Sequence, residues 1–156
     1  MTKLRKVLED NVRVLTVTAK EDLAEGVLFA VIKEDGVNKA VLASNVIAQG
    51  AEPVALKAVG IVDKTSTEQW GEAFNFNPVA QLDAGDHIDV LSHAYIVAEE
   101  VPADAKVGDK VYLGEAGKFV FEAPEAVEAG ADTDGVLVQE VGVVRNVERQ
   151  IVEVTL

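Results

Sequence analysis

The chain has 156 residues, of which 49% are hydrophobic and only 5% aromatic, a composition that suits one ordinary-sized domain with an aliphatic core and argues against disorder. It contains no cysteine, which excludes disulfides, thiol catalysis and thiolate metal sites. Its net charge of −13 opposes association with nucleic acid or anionic membranes at long range.

The charge is uneven along the chain. Residues 1–20 carry five cations (Lys3, Arg5, Lys6, Arg13, Lys20) against Glu9 and Asp10, a net +3, which leaves −16 for the remainder. Residues 1–11 therefore read as a basic N-terminal arm on an acidic body, able to contact a neighbouring acidic copy or another partner, or simply to fray. The basic opening is followed by no apolar signal core, and no apolar stretch reaches the length of a membrane-spanning helix, so synthesis in the cytoplasm is expected.

The body, residues 12–156, reads as a single all-β domain: a small β-barrel or β-sandwich made of repeated hairpins, with at most one or two short helical turns. Strand-like runs rich in β-branched residues occupy 12–19 and 27–33. Within the second, Val27-Leu28-Phe29-Ala30-Val31-Ile32 is apolar on both faces and should lie between two layers. Residues 37–49, bounded by Gly36 and Gly50, fit a helix or a strand. A further run covers 54–62. Residues 63–77, with Trp70, Phe74 and Phe76, break the strand rhythm and read as a long loop. Strand runs resume at 87–98, 110–113 and 118–122. Ala123-Pro124-Glu125-Ala126 opens a segment, 123–130, that could hold one helical turn, with Pro124 near its start. Runs 135–144 and 150–156 complete the chain. In the last, Val152, Val154 and Leu156 should face inward, and Glu153 and Thr155 outward.

Two segments echo each other at an offset of 23 residues. Gly85-Asp86-His87-Ile88-Asp89-Val90-Leu91 matches Gly108-Asp109-Lys110-Val111-Tyr112-Leu113-Gly114. Each reads as a Gly-Asp corner, an outgoing strand, a reversal and a returning strand, the second reversing through Gly114-Glu115-Ala116-Gly117.

Chemistry finds little purchase in this sequence. The richest polar cluster is Asp83, Asp86, His87, Asp89 and His93, which would place His87, Asp89, Leu91 and His93 on one strand face. It lacks the ligand spacing of a zinc helix or a calcium loop, and a solvated strand face after a capped turn accounts for it. No nucleophile elbow surrounds Ser44, Ser66 or Ser92, and there is no glycine-rich phosphate loop. No catalytic, metal-binding or cofactor-binding residue is assigned, and no cofactor is expected. The aromatics Trp70, Phe74 and Phe76 could anchor a protein interface or fold back as a lid over the core.

Several motifs in order carry a family likeness: Arg13-Val14-Leu15-Thr16-Val17-Thr18, Asp86-His87-Ile88-Asp89-Val90-Leu91, Val107-Gly108-Asp109-Lys110-Val111-Tyr112-Leu113, Gly117-Lys118-Phe119-Val120, Gly135-Val136-Leu137 and Ile151-Val152-Glu153-Val154. This pattern resembles the tailed-bacteriophage capsid decoration, or structural cement, proteins. Lys39-Ala40-Val41-Leu42-Ala43 followed by Pro53-Val54-Ala55-Leu56-Lys57-Ala58-Val59-Gly60 is similar to the core of lambda-type head decoration proteins. Residues 63–77 match no family pattern.

The resemblance implies a non-enzymatic virion component on the capsid surface, made in the host cytoplasm. It would bind assembled major capsid protein and stabilise the mature head, often as a homo-oligomer (dimer or trimer), with no nucleic-acid or membrane partner. The expected partner interface is Leu4, Arg5 and Lys6 of the arm with Trp70, Phe74 and Phe76 of the loop. Two other classes stand beside it. A phage tail or adhesin-type β module recognising carbohydrate or another virion protein would stack sugars on Trp70 and Tyr95 or Tyr112. A small hydrolase using Asp83, Asp86 or His87 would lose turnover on His87→Ala or Asp89→Ala.

Overall fold

The computed structural model describes residues 13–48, 56–62, 81–82, 84–85 and 87–156, with backbone only at 13–16, 81–82 and 87–90. The described chain is all-β. Its strands are β1 (Arg13–Ala19), β2 (Leu23–Ala24), β3 (Leu28–Glu34), β4 (Val37–Leu42), β5 (Val46–Ile47), β6 (Gly60–Ile61), β7 (Gln81–Leu82), β8 (His87–Leu91), β9 (His93–Val97), β10 (Lys110–Leu113), β11 (Phe119–Val120), β12 (Gly135–Val136), β13 (Glu140–Asn146) and β14 (Ile151–Thr155). The helical content of the described residues is one 3₁₀ turn, Glu115–Gly117.

Two main sheets result. Strands β1-β4-β3-β6-β8 close into a barrel, β8 returning to pair with β1. Every neighbour in that ring is antiparallel except β1 and β4, which run parallel. A second, five-stranded sheet has the order β11-β10-β13-β14-β9 and is antiparallel throughout. Two short pairs, β12 with β5 and β2 with β7, complete the pattern.

The doubly apolar run lies where expected. On β3, Leu28 and Ala30 join a core that also contains Ile61 and Leu91 of the barrel and Ile96, Val111, Val144, Val152 and Val154 of the second sheet. Phe29, between them, points the other way into a cluster with Val17, Leu23, Ala40 and Val62. A strand pleats its side chains to alternate faces, so a strand apolar at every position can hold two cores at once. Phe29 is fully buried and its ring lies across Gly60, where an added Cβ would sit 2.5 Å from Cζ. The last strand also behaves as its alternation demands: Val152 and Val154 are fully buried, Leu156 packs against the same core, and Thr155 is exposed.

One local expectation is settled and two change. Of the two readings of 37–49, the described residues 37–48 take the strand one, as β4 and β5. The deciding feature is the Asp35-Gly36 pair, with φ of 52° and 79°, which makes a two-residue hairpin turn closed by the pairing of Glu34 with Val37. Residues 123–130 hold no helical turn. The chain there is extended, and Val127 exchanges both backbone hydrogen bonds with Val136 (3.1 and 2.8 Å), a pairing that helical geometry would forbid. The run 87–98 is two strands in different sheets, broken at Ser92. The buried residues are Leu91, then Ala94 and Ile96, so the inward phase slips by one at the break. The Ser92 carbonyl accepts the Leu156 N–H at 2.8 Å.

The internal echo survives in its corners and its outgoing strands, β8 and β10, and fails in the return of the first copy. Gly85 and Gly108 have φ of 94° and 97°, and each N–H donates at 2.8 Å to a carbonyl near the end of the neighbouring strand, Ala19 and Val144 respectively. In the second copy β10 returns as β11. In the first copy β8 does not reverse but crosses into the other sheet, because its partners β1 and β6 occupy both its edges.

The two sheets are also cross-tied by polar contacts. The loop between β10 and β11 docks on the barrel: the Gly117 N–H donates to the Ala43 carbonyl at 2.6 Å, and the Asn45 N–H donates to the Gly114 carbonyl at 3.2 Å. The Gln139 side chain grips Ala58 like a strand, accepting its N–H at 2.8 Å and donating to its carbonyl at 3.0 Å. Gly117 has a φ of 69°, and a Cβ there would lie 2.4 Å from the Leu28 carbonyl oxygen. Gly108→Ala meets open space and should cost about 1–2 kcal/mol from its backbone angle alone. Gly117→Ala adds a clash with fixed backbone and should cost more, above about 2 kcal/mol, in urea denaturation. Equal losses would show that the close approach at Leu28 contributes nothing.

Candidate interaction surfaces

The outward face of the second sheet carries a polar network. Because Val152 and Val154 point inward, Glu153 points out, between Arg145 on β13 and His93 on β9. The Arg145 Nε donates to one Glu153 carboxylate oxygen at 2.6 Å, and the His93 imidazole donates from Nε2 to the other at 3.1 Å. Tyr95 stands directly across from Glu153 in the β14–β9 pairing, and its ring lies 5.9 Å from that of His93. The Arg145 hydrogen bond, chiefly, holds the Glu153 carboxyl below its ordinary value of 4.5, with His93 and Tyr95 acting in the same direction and partial burial opposing them.

This arrangement separates the polar cluster expected from the sequence. Asp83 and Asp86 lie outside the described residues. His87 and Asp89 sit on β8 in the barrel, whereas His93 sits on β9 in the other sheet, because the strand breaks at Ser92. The four residues 87, 89, 91 and 93 therefore do not share one strand face. Among the described residues, no three His, Asp or Glu side chains gather as a metal-binding group. The sugar-stacking pairs expected from the sequence join Trp70, which lies outside the described residues, with Tyr95 or Tyr112, and the two tyrosines themselves are far apart. They stand on β9 and β10, with β14 and β13 between them, roughly 14 Å apart at ordinary strand spacing.

A second surface was not foreseen from the sequence. From 119 to 144 the chain carries six acidic residues and no lysine or arginine. Glu122, Glu125, Glu128, Asp132 and Asp134 are all exposed. Yet this acidic stretch walls two apolar clefts. One, of about 830 Å³, is lined by Ile47, Ala126, Val127, Ala129, Val136, Leu137 and Val138, with Val127 and Val138 each 40% exposed. The other, of about 850 Å³, is lined by Phe119, Val120, Phe121, Pro102, Pro124 and Asn45, with Glu115, Glu122 and Lys118 as its charged members. Asn45 is only 7% exposed, and its Oδ1 has no hydrogen-bond partner. A buried acceptor without a donor costs about 1–3 kcal/mol, so its position at a cleft wall asks for an explanation. The signal in the sequence is the alternation of Val127, Val136, Leu137 and Val138 with acids and glycines, which a helical reading of 123–130 hides.

The six residues expected at a partner interface, Leu4, Arg5, Lys6, Trp70, Phe74 and Phe76, lie outside the described residues. No known family model matches the chain, and no curated protein matches it. One solved structure is similar, the N base of the head fiber gp8.5 in bacteriophage phi29. It shares 20% sequence identity, with 90% of this chain and 89% of that chain covered and a TM-score of 0.43. A likeness of that degree identifies neither a family nor a role.

Glu153 sets a pH dependence. Its folded-state value is depressed, so its contribution to stability is full above about pH 4.5 and is lost as the pH falls through the folded value. Glu153→Gln should lower stability at pH 7 by about 0.5–1 kcal/mol, the upper range for a partly exposed pair, and should flatten the acid limb of a melting series from pH 7 to 3. An unchanged acid limb would show that other carboxylates govern it.

Proposed function

We propose that the protein is a non-enzymatic decoration or cement protein of a tailed-phage head, carried on the capsid surface, where it binds assembled major capsid protein and stabilises the mature particle. The observation that supports a binding role best is the pair of apolar clefts opening along the acidic wall at 121–138. Contiguous apolar surface of this kind on a highly charged body is what a docking protein keeps exposed. The virion assignment itself comes from the ordered resemblance in sequence. Those motifs form the framework of the fold: Arg13–Ala19 is β1, Lys110–Leu113 is β10, Phe119–Val120 is β11 and Ile151–Thr155 is β14.

The physical logic is linkage. A clamp that binds the assembled shell and not free subunits stabilises the shell by mass action, without chemistry. High negative charge keeps such a protein soluble before it docks. In this reading Trp70, Phe74 and Phe76 anchor the capsid contact, and Leu4, Arg5 and Lys6 belong to contacts made by the arm, in a dimer or trimer.

Co-sedimentation with mature heads of the virus that encodes the chain tests this. The protein should pellet with expanded heads, raise their melting temperature, and remain in the supernatant with unassembled capsid protein. Trp70→Ala should weaken binding about tenfold or more, as the loss of a buried aromatic anchor does. Equal affinity for assembled and free subunits, or no pelleting at all, would remove the cement role.

A further inference from the structure

The cleft at Asn45 has apolar walls, an acidic rim and an unanswered acceptor, and nothing in the fold uses the three together. We propose that it receives the basic N-terminal segment Lys3-Leu4-Arg5-Lys6-Val7-Leu8 of a second copy of this chain. The inference stands on the cleft and on the distribution of charge, and it does not rest on the phage-head reading.

Three observations select this occupant. The first is charge complementarity: Glu115 and Glu122 outnumber Lys118 in the cleft and six acids with no cation follow between positions 119 and 144, whereas the segment carries three cations in four positions. Rim charges of opposite sign steer encounter and fix register. The second is the pattern of the segment. In an extended chain Leu4, Lys6 and Leu8 fall on one face and Lys3, Arg5 and Val7 on the other, so each face brings apolar and cationic groups together, as the cleft sets Phe119, Val120 and Phe121 beside Glu115 and Glu122. The third is Asn45. Its side chain is buried and its Oδ1 unpaired, and an amide χ2 torsion is soft enough to turn the oxygen toward a donor that enters the cleft. An extended segment brings backbone N–H groups and lysine ammonium groups, both of which donate. The contact joins two different surfaces, so it is heterologous and closes copies into a ring where the rotation permits.

A charge-swap experiment followed by sedimentation velocity decides the matter. One variant carries Glu122→Lys and Glu125→Lys, and another carries Lys3→Glu, Arg5→Glu and Lys6→Glu. Glu122 and Glu125 are exposed and can change without disturbing the core, and thermal melts check that each variant folds. The unaltered protein should self-associate, less so as salt is raised. Each variant alone should associate at least about tenfold more weakly. An equimolar mixture should regain association, because the reversed arm of one now meets the reversed cleft of the other. Asn45→Leu, which relieves a buried unpaired acceptor, should leave folding intact or firmer while weakening association. The proposal is overturned if the unaltered protein stays monomeric across the concentration series, as it would with the arm folded onto its own cleft or the cleft kept for a different partner. A mixture no better than either variant overturns it too.

Discussion

Everything in the described fold depends on one strand being buried from both sides. β3 carries Leu28 and Ala30 into the core shared with the second sheet and Phe29 into the other cluster. Its backbone is equally occupied at the start: the Val27, Leu28 and Phe29 carbonyls accept N–H groups from Val62, Ala43 and Val59 at 2.9, 3.1 and 2.9 Å. Gly117 approaches the same stretch closely enough to leave no room for a Cβ. With so few aromatics in the chain, one fully buried phenylalanine over a glycine and a row of aliphatic side chains must provide most of the packing, and their strength comes from close fit more than from large side chains.

Much of this was legible in the residues. Period-two alternation located β1, β10, β13 and β14, and an unbroken apolar run revealed β3 as a buried layer, because a pleated strand leaves no other way to hide both faces. Positive backbone angles at Gly85 and Gly108 were readable from the Gly-Asp corners. What alternation does not encode is which sheet a strand joins. The run 87–98 looked like one strand, yet the phase of its buried residues slips at Ser92, and only pairing partners distant in sequence determine that β8 closes the barrel while β9 completes the second sheet. The Asp35-Gly36 turn was a local signal that the ambiguity of 37–49 masked. The grip of Gln139 on Ala58 spans 81 positions and has no sequence signature. The acidic wall was hidden for a related reason: its apolar residues are spaced for a pairing between 127 and 136 that a helical reading of 123–130 conceals.

The two outer surfaces differ in kind. On the second sheet, opposite charges answer one another within the chain, as Glu153 does with Arg145 while His93 hydrogen-bonds the same carboxylate. Along 121–138 the charges are all of one sign, and the apolar side chains between them find only partial cover. No cation within residues 119–144 answers that single-sign field.

The order of strands within the two sheets also dictates when each can exist during synthesis. The barrel ring lacks its closing member until residues 87–91 arrive to bridge the first strand and the sixth, so the early half of the chain can form the β3–β4 hairpin but not a sealed ring. The second sheet waits longer, because β9 pairs only with β14, which ends one residue short of Leu156. A nascent chain therefore holds unpaired edges until residues 151–155 leave the ribosome, and a stop codon ahead of them would strand β9 without β14 and open the core that both sheets share.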